Sequence, residues 1–239
     1  VGKVALAAVG ASTPIINMLI GFFMGISTGA GVVIAQFFGA GNTCKMKRAI
    51  HNSIALTLVM GVVLTIVGLF FNDPILKAIG VPSEVFSEAS TYLSIYFWSL
   101  IFVMVYNMGS GILRSVGDSK RPLYFLIFSS VVNIILDFLF VKYFHFGVAG
   151  AGYATLIAQA ISAIMVMYVL MKTEDDYKVI LKEIGFDKEI LLKIIKIGLP
   201  TGFQQSIVSL SNVIVQSYIN VYGASVIAGY SVTIKIDGF

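Results

Sequence analysis

One carboxylate lies in a segment otherwise too apolar to tolerate a charge. Asp137 belongs to the stretch SSVVNIILDFLFVKYF, residues 129–144. Ser130 and Asn133 precede Asp137 by seven and four residues, so the three side chains share one face of a helix. An ionised side chain inside a membrane costs roughly 3 kcal/mol or more. The spacing therefore predicts that neighbouring polar groups or a bound cation compensate the charge of Asp137.

A second polar stripe follows in the next apolar segment. Thr155, Gln159 and Ser162 are again spaced to share one helical face. Ala151 and Gly152 come just before Thr155, and such small residues let two membrane helices approach closely. Consecutive antiparallel helices that each carry one polar stripe are expected to turn those stripes toward each other. Asp137 and Thr155 should then lie at similar depth.

The oxygen atoms of this group limit its chemistry. A carboxylate, an amide carbonyl and a hydroxyl are hard ligands that suit Na⁺. Burial favours the neutral form of a carboxyl group, so such an Asp can also take up and release a proton. We interpret Asp137, Asn133 and Thr155 as a cation-binding site, with no metal expected beyond Na⁺ at Asp137. The structural alternative is an Asp that only hydrogen-bonds neighbouring helices.

Further polar residues in the apolar segments could line a cavity. Gln205, Asn212 and Gln216 recur at helical spacing along one segment. We include Ser130 and Gln159 with them as candidate cavity-lining residues. Interhelical hydrogen bonding would explain each of these side chains equally well.

The elements that position these groups are membrane-spanning helices. The chain is 58% hydrophobic and 12% charged, with a mean hydropathy of +0.93. Its apolar residues occur in blocks of about 20, the length that crosses a bilayer as a helix. We predict an all-α, polytopic transmembrane helix bundle, with residues 1–11 as a loop before the first span. The predicted spans are 12–37, 51–72, 90–112, 122–142, 150–172 and 198–222.

Basic residues give the orientation of the spans. Twelve of the 16 Lys and Arg residues fall in three connections, which the positive-inside rule makes cytoplasmic. They are Lys45, Lys47, Arg48, Arg114, Lys120, Arg121, Lys172, Lys178, Lys182, Lys188, Lys193 and Lys196. This asymmetry accounts for the net charge of +4 without a nucleic-acid partner. The connection over 173–197 has apolar residues at helical spacing, which indicates either an amphipathic interfacial helix or a plain cytoplasmic linker helix.

The chain carries no signature of catalysis. We find no phosphate loop, no HExxH zinc motif and no Ser–His–Asp set, and the two histidines, His51 and His145, lie at opposite ends of the spans. We therefore expect a protein that is not an enzyme and has no cofactor apart from a coupling ion. The sequence begins without Met and ends inside an apolar segment, so we expect a fragment of a longer protein.

Four motifs, in this order, resemble those of one transporter family. They are GISTGAGVVIAQFFGAGN (25–42), GILRSVGDSKRPL (111–123), NIILDFLFV followed by GVAGAGYATLIAQ (133–159), and GLPTGFQQS (198–206). The combination is similar to the multidrug and toxic compound extrusion (MATE) transporters, and the resemblance covers essentially the whole chain.

The resemblance implies a domain plan and a set of site residues. MATE transporters have twelve helices in two lobes, so the first span here would be helix two of the N-terminal lobe. Residues 1–172 would be that lobe without most of helix one, 173–197 a cytoplasmic amphipathic linker, and 198–239 the start of the second lobe. The family's N-lobe cation site carries over to Asn133, Asp137 and Thr155. An Asp on helix one normally completes this site, and the choice between Na⁺ and H⁺ stays open.

The function implied is cation-coupled export. We expect an antiporter driven by H⁺ or Na⁺ that exports drugs or organic cations across the plasma membrane by alternating access. Its partners would be amphipathic or cationic small molecules and the lipid bilayer, with no nucleic acid, and the full-length protein would be monomeric. The alternatives are a lipid-linked oligosaccharide flippase of the same superfamily and a non-transporting membrane scaffold. The predicted spans hold no Lys or Arg except Lys142 and Lys172 at their last positions, which argues against the flippase.

Overall fold

The computed structural model describes the backbone of residues 3–78, 81 and 83–220, and the side chains of 16–78, 81, 83–84 and 86–211. Six α-helices make up this part: α1 (Lys3–Gly39), α2 (Thr43–Ala78), α3 (Ser83–Ser115), α4 (Lys120–Asp137), α5 (Gly147–Lys172) and α6 (Lys188–Asn220). A π-helical turn, Phe138–Tyr143, continues α4, and a 3₁₀ turn spans Leu181–Glu183. No strand occurs in the described residues, which confirms the all-α prediction.

Five helical segments are long and apolar enough to cross a membrane. They are Ile16–Gly39, Thr43–Ala78, Phe86–Ser115, Lys120–Tyr143 and Gly147–Lys172. Each contains or overlaps one of the first five predicted spans. The sixth predicted span, 198–222, is helical as far as Asn220, and its last residues lie outside the described part of the chain. The prediction of a polytopic helix bundle is therefore confirmed.

Tight turns join the helices on the side that the basic residues predict to be cytoplasmic. Gly41, between α1 and α2, has a φ of +66°, and Gly117, between α3 and α4, has a φ of +92°. This left-handed backbone conformation is accessible to Gly at little cost. The side-chain amide oxygen of Asn42 accepts a hydrogen bond of 3.1 Å from the backbone N–H of Lys45. In the same way, a carboxylate oxygen of Asp118 accepts one of 3.1 Å from the backbone N–H of Arg121. These bonds satisfy N–H groups in the first turn of α2 and α4.

Helix α1 lies at the centre of the bundle, packed against α2, α3 and α6. Its crossing with α6 depends on glycines. A Cβ at Gly25 would collide with the backbone of Gly202, and one at Gly29 would collide with the backbone of Gly198. Small residues allow this backbone contact, from which membrane helices gain van der Waals packing. The first half of α6 is thereby held against α1.

Two sequence predictions about helix boundaries are wrong. Residues 3–11, predicted as a loop, are the first part of α1. The predicted helix over 173–197 begins only at Lys188, and the segment before it is irregular apart from the 3₁₀ turn. Its apolar spacing has another cause, because Val179, Ile190 and Ile194 are all buried in the core of the bundle. These side chains face protein, so they do not indicate a helix lying on the membrane surface.

Helix α4 is the least covered of the five spans. Only Pro122, Phe125 and Ser129 are buried along Lys120–Asp137, and the helix packs mainly against α5. Large apolar side chains cover its other faces, as expected for a helix that contacts lipid or further protein. The polar face with Asn133 and Asp137 is therefore presented by a peripheral helix.

Candidate cation site between α3, α4 and α5

Two glycines of α5 bring three helices together at one level. A Cβ at Gly150 would lie 3.1 Å from the Cβ of Phe140, in the π-helical turn after α4. A Cβ at Gly152 would lie 3.0 Å from a side-chain atom of Ile95 on α3. Neither neighbour leaves room for a side chain, so these glycines permit the close approach. Asp137 and Thr155 each lie about one helical turn from these contacts, which places them at similar depth.

Asp137 and Asn133 both have a buried polar atom without a partner. The side chains are half-buried, yet Asp137 Oδ1 and Asn133 Nδ2 make no hydrogen bond within the described residues. Buried side-chain polar atoms are paired in the large majority of cases, so two unpaired ones on a single face need an explanation. A flip of the Asn133 amide would put its carbonyl oxygen at the unpaired position, where it could serve as a ligand.

Thr155 contributes a hydroxyl oxygen to the same region. Its Oγ1 donates a hydrogen bond of 3.0 Å to the backbone carbonyl of Ala151, one turn earlier in α5. Because the hydrogen is used within the helix, the oxygen retains lone pairs that can accept. Thr155 is therefore available as a neutral oxygen ligand.

Tyr92 of α3 is a further residue near the site that the sequence reasoning did not single out. Its half-buried phenol lies within electrostatic range of the Asp137 carboxylate. The sequence signal was weak, because Tyr92 belongs to a group of aromatic residues that interface anchoring also explains. Once α3, α4 and α5 are packed, its hydroxyl becomes a candidate neighbour of the carboxylate.

The ligand set suits a hard monovalent cation or a proton. A carboxylate, an amide, a threonine hydroxyl and a phenol provide oxygen atoms without sulfur or imidazole, a combination that transition metals do not favour. No group of three His, Cys, Asp or Glu side chains suited to a metal ion occurs among the residues that the structure describes. With a single carboxylate, the site can hold one positive charge and become neutral.

The candidate cavity-lining residues do not form one group. Ser130 lies on an exposed part of α4, and Gln159 is half-buried on α5. Gln205 lies on α6, where its Cβ would be 3.6 Å from a Cβ at Gly21 of α1. It therefore belongs to the α1–α6 crossing, whereas the carboxylate is on the α4–α5 pair. Asn212 and Gln216 lie in α6, outside the residues whose side chains are described.

A polar cluster that the sequence reasoning missed joins α2 to the segment 173–187, on the side predicted to be cytoplasmic. We call this cluster the dock, and it consists of Lys47, Arg48, His51 and Asn52 together with that segment. His51 Nδ1–H donates to the Lys47 carbonyl at 2.7 Å, and the Ile180 N–H donates to His51 Nε2 at 2.9 Å. Asn52 Nδ2 donates to the Asp187 carbonyl at 2.7 Å. No spacing rule predicts this cluster, because more than 100 residues separate its two parts.

Comparison with known proteins agrees with this architecture. The MatE family model matches residues 1–139. The chain belongs to the MatE family. "Probable multidrug resistance protein YoeA" of Bacillus subtilis (strain 168) is 33% identical over 245 residues, which cover 100% of this chain and 53% of the relative.

Two solved structures of a multidrug resistance MATE family transporter of the MOP superfamily are also similar. The inward-facing one has a TM-score of 0.82 and 31% identity, and covers 87% of this chain and 48% of the transporter. The outward-facing one has a TM-score of 0.84 and 30% identity, and the match covers 90% of this chain and 48% of the transporter.

Family membership confirms the predicted resemblance and the class of protein. MatE proteins are transporters, and this member is a multi-pass protein of the plasma membrane. The chain spans about half the length of the relatives that it matches. The packing described above therefore corresponds to about half the length of these relatives.

Proposed function

We propose that the protein to which this chain belongs is a cation-coupled antiporter that exports amphipathic or cationic compounds by alternating access. The carrying observation is the unpaired carboxylate oxygen of Asp137 together with the unpaired amide nitrogen of Asn133, four residues earlier in the same membrane span. Keeping such groups in a bilayer is costly, and intramembrane carboxylates typically mark ion pathways or proton relays. The names of the similar proteins, which describe multidrug resistance, support export as the direction of transport.

The proposed coupling ion, H⁺ or Na⁺, binds at Asp137, with Asn133 and Thr155 as neutral oxygen ligands and Tyr92 beside them. Binding neutralises the carboxylate and changes which neighbours it attracts. Such a change drives transport only if the ion and the exported compound bind the inward- and outward-facing states with different affinities. Related transporters have been captured in both states, which supports this scheme.

Other parts of the proposal concern the whole protein. We propose a transport role with no catalytic activity, no cofactor besides the coupling ion, and a monomer as the working unit. The flippase alternative is not favoured by the curated relatives YoeA and MepA, whose names describe multidrug resistance and multidrug export.

The decisive experiment is dye export by the full-length protein in proteoliposomes. Efflux of a fluorescent organic cation is followed under an imposed Na⁺ gradient and, separately, an imposed pH gradient. We expect Asp137→Asn to lower gradient-driven efflux at least about 10-fold, because the carboxylate can no longer bind or release the charge.

The matched control is Asp73→Asn. Asp73 accepts a hydrogen bond of 2.7 Å from Ser90 Oγ outside the candidate site, and the Asn carbonyl can replace that acceptor. Its efflux should stay within about twofold of wild type. If Asp137→Asn retained full efflux under both gradients, the carboxylate would have no coupling role and the proposal would fail.

A further inference from the structure

The dock contains a buried titratable ring that the proposed ion site does not use. His51 is 3% exposed, and it lies at the wall of a cavity of about 460 Å³ between α2 and the segment that connects α5 to α6. Cys44 and Glu183 line the same cavity and are exposed, so water and protons can reach the ring.

One nitrogen of this ring lies near two groups that require opposite protonation states. Nε2 of His51 accepts a hydrogen bond of 2.9 Å from the backbone N–H of Ile180, and it is 3.9 Å from Oε2 of Glu183. A backbone N–H can only donate, so the first contact requires Nε2 without a proton. A carboxylate can only accept, so a bond to Glu183 requires Nε2 with a proton.

The other ring nitrogen keeps its partner in either state. Nδ1–H of His51 donates to the backbone carbonyl of Lys47 at 2.7 Å, which holds the ring on α2. Histidine is the side chain that ordinarily changes charge between about pH 5 and 8. Once protonated, Nε2 becomes a donor that faces the Ile180 N–H, and two donors form no hydrogen bond.

The cations that line the cavity with His51 are already matched by carboxylates. Lys47 pairs with Asp176 at 3.1 Å, and Arg48 pairs with Asp187 at 3.7 Å. These pairs reduce the repulsion that a positive charge on the ring would meet from its own helix.

Glu183 is the carboxylate available to a protonated ring. It has no ion pair with a Lys or Arg within the described ranges, and its side chain is 56% exposed, so it can move closer to Nε2. On α6, Glu189 and Lys193 pair with each other at 2.8 Å and do not line the cavity. Cys44 supplies the remaining titratable group of the cavity wall.

We propose that the dock is a pH-sensitive switch on the segment between α5 and α6. As the pH falls, Nε2 of His51 takes a proton from water, releases the Ile180 N–H to solvent and donates to the Glu183 carboxylate instead. The proposal goes beyond the proposed transport function, because it concerns the dock and not the ion site.

The resulting opening is confined to part of the segment. The Val179 N–H remains bonded to the Leu170 carbonyl at 2.8 Å, and the Asp187 carbonyl remains bonded to Asn52 at 2.7 Å. Neither bond involves a group that titrates when His51 does. Residues 180–186 therefore become more mobile between two fixed points.

Hydrogen exchange of the purified full-length protein, read by mass spectrometry, tests this proposal. Exchange of residues 180–187 is followed from about pH 8 to about pH 5 and corrected for the intrinsic pH dependence of amide exchange. We expect protection of these residues to fall by about 10-fold or more, while that of α5 stays within about twofold. Unchanged protection of 180–187 across this range would overturn the proposal.

His51→Gln identifies the titrating group. Its amide oxygen can accept from the Ile180 N–H, and an amide takes up no proton in this pH range. We expect this variant to keep its protection down to about pH 5. Equal loss of protection in wild type and His51→Gln would overturn the proposal, since another group would then titrate.

Glu183→Gln tests the exchange of partners, with Asp176→Asn as the matched control. Without the Glu183 carboxylate the protonated ring loses its acceptor, so the midpoint of the exchange transition should shift down by about half a pH unit. Asp176 pairs with Lys47 and not with the ring, so its variant should leave the midpoint unchanged. Equal midpoints in wild type and Glu183→Gln would overturn the assigned exchange.

Asp137→Asn separates this inference from the proposed function. It removes the carboxylate of the ion site and should leave the pH response of residues 180–187 as in wild type, whatever happens to efflux. Loss of the response in Asp137→Asn would assign the titration to the ion site and would overturn the proposal for the dock.

Discussion

The dock and the ion site differ in how many of their buried polar side chains are hydrogen-bonded. At the dock, both ring nitrogens of His51 are hydrogen-bonded and Asn52 Nδ2 donates to the Asp187 carbonyl, although Asn52 Oδ1 is buried without a partner. At the ion site, Asp137 Oδ1 and Asn133 Nδ2 are buried without partners. A satisfied polar network makes its surroundings rigid, whereas an unsatisfied one costs stability and persists where it serves a function.

The dock has a structural consequence for the linking segment. His51 Nε2 accepts from a backbone N–H, which can only donate, so the ring is neutral and carries its proton on Nδ1. Asp187 Oδ1 accepts from the N–H groups of Glu189 and Ile190 at 3.0 and 3.3 Å, and so caps α6. The segment from α5 to α6 is therefore fixed to α2 at both ends.

The largest effect on stability is expected at His51. His51→Ala leaves the Ile180 N–H unpaired and opens a gap in a site where the ring is 3% exposed. We expect a loss of about 2–4 kcal/mol in the free energy of unfolding, measured by denaturant or thermal unfolding of the purified protein. His51→Gln should recover part of the loss, since its carbonyl oxygen can accept from Ile180.

Arg48→Ala controls for the surface part of the dock. Its ion pair with Asp187 is 3.7 Å long and solvent-accessible, so its removal should cost at most about 1 kcal/mol. If His51→Ala cost no more than Arg48→Ala, the dock would not be the rigid region described here.

A smaller effect comes from one chemical change made in both regions. Asn52 is 0% exposed and bonded to the Asp187 carbonyl, so Asn52→Leu should cost about 1–3 kcal/mol. Asn133→Leu removes an unpaired buried amide, so its stability should change by less than about 0.5 kcal/mol or improve, while cation-driven efflux falls. A loss above 1 kcal/mol for Asn133→Leu would show that Asn133 has a structural partner and would remove the contrast.

The smallest effect concerns the exposed start of the linking segment. Hydrogen bonds from the Tyr177 and Thr173 hydroxyls lower the pKa of the Asp175 carboxyl below its usual 3.8. A lowered folded-state pKa stabilises the segment above the unfolded-state pKa, and this contribution is lost as the pH falls below about 3.8. Hydrogen exchange of residues 173–187, compared between wild type and Asp175→Asn, should differ slightly at neutral pH and converge in acid. A difference that grows in acid would reverse the assigned sign.

Prediction from the sequence worked best where a signal is local and repeated. The long apolar blocks specify spanning helices, because a bilayer requires every backbone group to be satisfied within the segment. The spacing of Asn133 and Asp137 predicted that both lie on one helical face. In the structure both belong to α4, four residues apart, and both are half-buried. The same reasoning failed over 173–197. Apolar residues of an irregular segment that packs on the core can also occur at helical spacing.

Spacing rules could not predict the contacts between helices. Tyr92 and Asp137 lie 45 positions apart on α3 and α4, and both helices pack against α5, α3 through the contact of Gly152 with Ile95. Gln205, grouped by periodicity with cavity residues, packs at the α1–α6 crossing.

The sequence alone was enough to predict a membrane helix bundle and one intramembrane carboxylate with neighbours of suitable type, and its basic residues predict the orientation. These properties follow from composition and from the period of a helix, which act over a few residues. The tertiary structure decided which polar atoms are paired and which are not. At the dock, the bonds join residues of α2 to a segment more than 100 positions away. Only the packed chain brings such groups within hydrogen-bonding distance, so only the packed chain separates the rigid dock from the unsatisfied site at Asp137.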